Sequence, residues 1–308
     1  MKRYILNLFL LVMLFSVSAC SDDDLGPSIF DPSTEELTEL DLWMQANFTK
    51  PYNIEVLYKW LDIESDMAAT LVPPTEDNAA GLADVLKKIW CLPYVNIAGN
   101  DFFCKLAPKQ LMFIGSSRYN SDGTVTKGSA EGGRKIIIYE VNQFDRTNAT
   151  RLKRYMKTIH HEFTHIANQT IEFPKEYELI SPGYVEQWKN MKDQEAYDAG
   201  FISPYAMSEP SEDFAEMVGI MLSNSRAEWE VLLDKPATQD GKDKLQQKLE
   251  MVLNYYRDVW NVDLYDDDVF SEESGVRLQA VIDECNTTLR GAENGWKMVY
   301  YPKVESYG

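Results

Sequence analysis

The 308-residue chain contains three histidines, and all of them fall within six positions of one stretch, IHHEFTHIANQ, residues 159–169. His161-Glu162-Phe163-Thr164-His165 has the spacing HExxH. On a helix, residues i and i+4 share a face about 6 Å apart, so both imidazoles can reach one metal ion. Glu162 lies one residue round the helix, near enough to hold a water without ligating the ion. Leu152, Met156, Ile159, Phe163 and Ile166 form an apolar stripe, with Thr158, His161 and His165 opposite it. His160 points off the shared face and reads as a packing residue or a support for a ligand. A chain carrying this stretch needs a helix with one side in a core and the other open to a cleft.

A catalytic zinc takes three protein ligands and leaves a fourth position open. No histidine remains, so the third ligand must be acidic. The HExxHxxGxxH pattern is excluded, because Asn168 and Ile171 occupy its glycine and third histidine positions. Downstream, SPYAMSEPSEDFAEMVGIML (residues 203–222) reads as a helix. Pro210 suits a first helical turn, and Phe214, Met217, Val218 and Met221 give it an apolar face. Glu212 and Glu216 stack at i, i+4 on another face and supply the missing carboxylate.

Composition narrows the rest. With 30 basic and 49 acidic residues the chain carries a formal charge of −19. That excludes nucleic acid as a partner, since phosphate binding needs a cationic face. The first twenty residues are set apart from the fold: Lys2 and Arg3 precede an apolar run, then Val17-Ser18-Ala19 leads into Cys20. The run is short for a ~30 Å hydrocarbon core. The segment resembles a bacterial lipoprotein signal (residues 1–19), with Cys20 as the lipidated first residue of the mature chain. SDDDLGPS (residues 21–28) opens an acidic tether over residues 20–32, similar to export tags of surface lipoproteins. Cys91, Cys104 and Cys285 show no CxxC spacing, so a cysteine-ligated zinc is not expected. An exported chain could join Cys91 to Cys104 or keep both as thiols, and the spacing does not decide.

The remainder, residues 33–308, is expected to form a single α+β domain, with a strand-rich part over 33–145 and a helical part over 146–308. Ser33 and Glu36 suggest a capping box opening a helix to Phe48. Residues 52–61, 110–116 and 134–142 are rich in β-formers and read as strands, and residues 78–90 as a short helix. The glycine-rich segment between the second and third strands fails as a phosphate loop, because Lys127 precedes its second glycine. It reads as a hairpin connection, with Asp122-Gly123 as a turn. Further on, Leu245, Leu249, Val252, Tyr256, Val259 and Trp260 fall at helical spacing, as do Val276, Leu278, Val281, Ile282 and Leu289 less strictly. DLYDDD (residues 263–268) reads as an acidic loop.

HEFTHIANQ, followed by EDFAE with Glu212 47 residues after His165, resembles the gluzincin metallopeptidases of the anthrax lethal-factor type. The resemblance implies a zincin-like metallopeptidase domain with a mixed or antiparallel sheet beside the active-site helix. It implies Zn²⁺ held by His161, His165 and Glu212, with Glu216 orienting a ligand imidazole. It also implies a catalytic tyrosine seven residues before the ligand glutamate, where this chain has Tyr205. Asp213 stands where that family has an apolar residue. With the signal, the acidic run and GSAEGG (residues 128–133), the chain is similar as a whole to the substrate-import-associated zinc metallohydrolase lipoproteins, which accompany TonB-dependent importers. That likeness implies a surface-exposed outer-membrane lipoprotein.

The expected chemistry is hydrolysis of an amide, most simply a peptide bond. Glu162 serves as general base and Tyr205 as donor to the developing oxyanion. The strand at Lys135–Tyr139 is expected to pair with an extended substrate. Two rivals stand beside this reading: a non-catalytic lipoprotein that captures nutrient for an importer, and a zinc hydrolase of amide-bearing glycans. An intact Glu162 speaks against the first, because a structural zinc site needs no general base.

Overall fold

The computed structural model describes residues 37–59 and 70–264. The signal, the tether, the Ser33/Glu36 cap, Cys285 and the apolar pattern from Val276 to Leu289 lie outside the described residues. Among the described residues no helix is long and apolar enough to cross a membrane.

The first described helix, α1 (Glu39–Met44), is capped by Thr38. The Thr38 hydroxyl accepts from Asp41 N at 3.2 Å, while the Asp41 carboxylate accepts from Thr38 N at 2.8 Å. Helical chain continues through a π turn (Gln45–Thr49) to Tyr52, and Asn53 stops it in the left-handed region at φ 56°. Of the β-former-rich residues 52–61, of which 52–59 are described, Glu55–Leu57 form a strand, β1. The short helix expected over 78–90 is much longer. α2 (Glu76–Leu86) runs through a π turn (Lys87–Cys91) into α3 (Leu92–Leu106), broken only where Gly99 adopts φ 84°. The part expected to be strand-rich therefore holds more helix than strand. Cys91 and Cys104 are free thiols.

Five further strands follow: β2 (Gln110–Phe113), β3 (Arg118–Tyr119), β4 (Val125–Thr126), β5 (Gly128–Glu131) and β6 (Lys135–Ile138). The main sheet has the order β1-β2-β6-β5, and β3 and β4 form a separate hairpin. Here the expected hairpin connection between β2 and β6 is wrong. β2 and β6 pair in parallel, with Leu111 opposite Ile136 and Phe113 opposite Ile138. Parallel neighbours need a crossover. The glycine-rich segment provides it by folding into the β3–β4 hairpin, which turns at Gly123 (φ 82°), and then into β5, which runs antiparallel to β6. Both faces of the sheet are covered. Leu111, Phe113, Ile136 and Ile138 enter the main core. Met112, Ile114, Ile137 and Tyr139 close over Leu71 on the other side. Burial on both faces explains the unbroken Ile136-Ile137-Ile138 run.

From residue 149 to residue 264 the regular elements are all helices, as expected, and the fold is α+β. α4 (Ala149–Thr170) carries the histidines, and the Asn148 side chain caps it by accepting from Arg151 N. Its apolar stripe is buried, with Phe163 against Trp90 and Phe103 at ring distances of 5.6 and 5.8 Å. After α5 (Glu176–Ile180) and α6 (Asp193–Asp198) comes α7 (Pro210–Ser223), which carries Glu212 and Glu216 with Pro210 at its first position. α8 (Arg226–Leu233) and α9 (Gln239–Trp260) complete the described chain. On α9, Leu245, Leu249, Val252, Tyr256 and Trp260 are buried, whereas Val259 faces solvent.

Two contacts fix α7. Gly219 faces α4 so closely that a Cβ there would lie 2.9 Å from the Lys157 carbonyl oxygen and 3.1 Å from His161 Cβ. On the opposite flank, Lys248 of α9 reaches Asp213 of α7 at 2.6 Å, and both side chains are fully buried. Lys248 also donates to the Gly200 carbonyl at 2.8 Å and lies 3.9 Å from the Phe201 ring centroid. Such a pair ties two helices together while contributing little net stability, because desolvation offsets most of the attraction.

Two outcomes follow for stability. Gly219→Ala should destabilise the protein by about 1–3 kcal/mol, since the new methyl meets backbone that can only move by parting α4 from α7; an unchanged melting temperature would contradict that contact. Lys248→Met should cost about 3–5 kcal/mol by stranding Asp213, while Lys248→Met with Asp213→Leu should recover most of the loss. Denaturant titration of both variants distinguishes a tether from a net stabiliser.

Candidate metal centre

α4 and α7 cross with the polar face of one against the polar face of the other. His161 Nε2 lies 2.9 Å from Glu212 Oε2 and 3.1 Å from His165 Nε2, and His165 Nε2 lies 3.4 Å from the same carboxylate oxygen. The two imidazole planes are nearly perpendicular, at 81°. A tetrahedral zinc with ligand bonds of ~2.1 Å sets its donor atoms about 3.4 Å apart. Three donors of the right chemical kind, all within 4.8 Å of one another, thus fit a divalent cation.

Electrostatics agree with the donor chemistry. Burial opposes charge on Glu212, but its hydrogen bonds to His161 and His165 hold the carboxyl far below the usual range. Burial likewise opposes protonation of His161, yet Glu212, Glu216 and Glu162 around it push the imidazole up to about 10. A ring surrounded by carboxylates attracts positive charge, and a metal ion competes with the proton for that place.

The other residues singled out by sequence fall around this triad. Glu216 is fully buried, with Oε1 3.2 Å from His161 Nδ1 though off the hydrogen-bond line. It also accepts from Lys157 at 2.8 Å and from the Ser203 hydroxyl at 2.7 Å. Burial pushes the Glu162 carboxyl up from its ordinary value, against the pull of His161 and His165. Glu162 accepts a backbone hydrogen bond from Ala130 of β5. The Tyr205 ring stacks on His161 at 6.1 Å and meets Trp188 edge-on at 4.9 Å. Burial, then the charge of Glu212 and a hydrogen bond to it, raise the Tyr205 phenol well above its ordinary range. Asp213 turns away from the triad: its carboxylate accepts from Lys248 and from the Tyr184 hydroxyl. Burial pushes it up to about 6 against the pull of Lys248. His160 is buried too, 3.4 Å from the Tyr94 hydroxyl, and burial lowers it to about 3.

A cavity of about 540 Å³ opens beside these groups, lined by Thr158, His161, Glu162, Trp188, Tyr205 and Glu216 among others. Of the main sheet it is β5, at Gly128, that touches the cavity, beside Val125 and Thr126 of β4, and not the expected Lys135–Tyr139. β6 is paired on both sides, by β2 and β5, and has no main-chain groups to offer. β5 lies so close to α4 that a Cβ on Gly128 would sit 2.4 Å from Thr158 Cγ2 and 3.1 Å from Glu162 Oε1. Sequence reasoning missed Lys157, Ser203, Trp188 and the need for glycine at 128. Lys157 could have been found, since it lies one turn before His161 on the same face; Ser203 and Trp188 carry no local signal.

Comparison with known proteins adds the following. Residues 33–265 match the model of a family described as "putative zinc-binding metallo-peptidase". Residues 266–308 match that of a domain family of unknown function. No curated protein matches the chain. The crystal structure of a "putative zinc-binding metallo-peptidase" from Bacteroides caccae is 38% identical, with a TM-score of 0.66, covering 84% of this chain and 97% of that one. A family model spanning most of the described fold, joined to a relative of this identity over nearly its whole length, places the chain within this zinc-binding metallo-peptidase family.

Proposed function

We propose that the protein is a zinc-dependent hydrolase of amide bonds, with peptides as its substrates. The observation that carries this reading is the convergence of His161, His165 and Glu212 donors within 4.8 Å beside a cavity that Glu162 and Tyr205 also line. Zinc bound by these three residues supplies a Lewis acid that lowers the pKa of a water to about 7 and polarises a carbonyl. Glu162, its carboxyl raised by burial, takes a proton from the attacking water and returns it to the leaving amine. Tyr205, held between His161 and Trp188, donates its hydroxyl to the oxygen on which negative charge develops. Glu216 holds His161 in place, itself neutralised by Lys157. An extended peptide adds to the open edge of β5, whose position against Glu162 brings the substrate backbone to the base.

The rival non-catalytic binding role is disfavoured by the donor count. Structural zinc sites close with four protein ligands; among the described residues the cluster has three. The rival glycan substrate is distinguished by assay, with amide-bearing glycans presented beside peptides.

The proposal extends to placement. Val17-Ser18-Ala19-Cys20 and the acidic residues after it support a chain lipidated at Cys20, carried on the outer membrane and exposed at its surface. There it would act on peptides beside a TonB-dependent importer. Several acyl chains at one cysteine hold a protein on a bilayer where a single chain would not.

Glu162→Gln should retain zinc, measured by metal analysis, and lose about 10²–10⁴-fold in kcat on a cleaved peptide. Tyr205→Phe should lose roughly 10²–10³-fold in kcat with little change in KM. Full turnover in either variant refutes the role given to it. Cys20→Ala should leave the membrane fraction and take up no labelled fatty acid; continued membrane attachment would count against the anchor.

A further inference from the structure

We propose that the cavity beside the triad contains a subsite for a carboxylate of the substrate, carried on an acidic side chain or at the chain terminus. The inference rests on the hydrolase reading above and names its substrate class.

The chain as a whole is strongly acidic, at −19. Yet the cavity wall gathers four cations: Lys127, Arg154, Lys157 and Lys189. Arg154 and Lys157 precede His161 by seven and four residues on α4. At 1.5 Å per residue they lie about 10 and 6 Å along the helix from the first imidazole, roughly one residue's reach from the reacting bond. Lys157 is committed to Glu216 and Lys189 to Asp122. The exposed Glu186 and the buried Glu162 are the other carboxylates of the lining.

Arg154 and Lys127 are different, because they share one carboxylate. Glu140 Oε1 accepts from Lys127 at 2.6 Å and from the Ser117 hydroxyl at 2.7 Å, and Arg154 lies 2.6 Å from Oε2 as an ion pair off the hydrogen-bond line. Two cations share one buried acid, so the group formed by Arg154, Lys127 and Glu140 carries a net charge of +1. Glu140 is itself held in the left-handed region at φ 63°, with its backbone carbonyl accepting from the Tyr155 hydroxyl at 2.8 Å. The guanidinium of Arg154 packs 5.2 Å from the Tyr155 ring centroid. Its side chain is nevertheless 29% exposed, and that of Lys127 41%. A guanidinium carries five donors in a rigid fork that matches a carboxylate. Here that fork is fixed in direction by Glu140 and Tyr155 while part of it faces the cavity, which is how a preorganised anion receptor is built.

The test uses the zinc-loaded mature chain and peptides in matched pairs. Members of a pair differ by Glu or Gln at one position around a common amide, or by a free or amidated C-terminus. Cleavage is measured as kcat/KM. Binding of the same peptides, fluorescently labelled, is measured by anisotropy with the zinc-loaded Glu162→Gln protein. One carboxylate position should be preferred by ~10–100-fold, as expected for a charged hydrogen bond, and which pair responds separates a side-chain from a terminal carboxylate. Arg154→Gln should reduce that preference to about threefold or less, and Arg154→Lys should restore part of it. If Arg154→Gln does not fold, Lys127→Gln and Arg154→Lys carry the comparison. Equal treatment of both members of every pair, or a preference unchanged in these variants, overturns the subsite while leaving the hydrolase intact. Arg154-dependent binding without any cleavage overturns the hydrolase and leaves the subsite.

Discussion

Everything in the site depends on how near α7 can come to α4. Two helices normally pack with axes 8–10 Å apart, the spacing being set by the side chains between them. Gly219 removes the side chain at the point of closest approach, so that a methyl there would press on the Lys157 carbonyl and on His161 itself. The residue that permits the contact thus touches a residue of the triad. Seven residues earlier on α7, Glu212 reaches the two imidazoles at 2.9 and 3.4 Å. The carboxylate is delivered by a rigid helix from a rigid contact, without relying on a loop.

Three acids in five residues of α7 then take three different environments. Glu212 faces the imidazoles, Asp213 faces Lys248 and Tyr184, and Glu216 faces Lys157, Ser203 and the far side of His161. Helical geometry explains the separation: residues four apart share a face, whereas the residue between them turns by about 100°. Buried carboxylates at this density would repel one another without partners, and each has a cation or a ring within reach. Lys157 does this from within α4, one turn before the first imidazole, so the two helices are joined by an ion pair as well as by close packing.

The sheet plays the complementary part. Its interior is sealed on both faces, and the parallel pairing of β2 with β6 leaves β5 at the edge over α4. The crossover that makes this possible is the same glycine-rich segment that contributes Gly128, whose missing side chain lets β5 approach Thr158 and Glu162. The hairpin and Lys127 belong to this segment too, so one crossover supplies both the edge strand and part of the cavity wall.

The sequence by itself determined the helix at Ala149–Thr170, its buried stripe, the HExxH pair and the second helix with Glu212 and Glu216, because helical periodicity and metal spacing are local properties. It determined the fold class for the same reason. The parallel register of the strands, the long helix where a short one was expected, and β5 as the edge strand were decided only in three dimensions. A run of isoleucines reads alike in either strand direction, and burial on both faces erases the alternation that would have betrayed it. Which of three neighbouring acids meets the imidazoles, and which cations line the cavity, also depended on the rotation and spacing of whole helices. Those are set by contacts such as Gly219 with Lys157 and Lys248 with Asp213, between residues too far apart in the chain for any local pattern to join them.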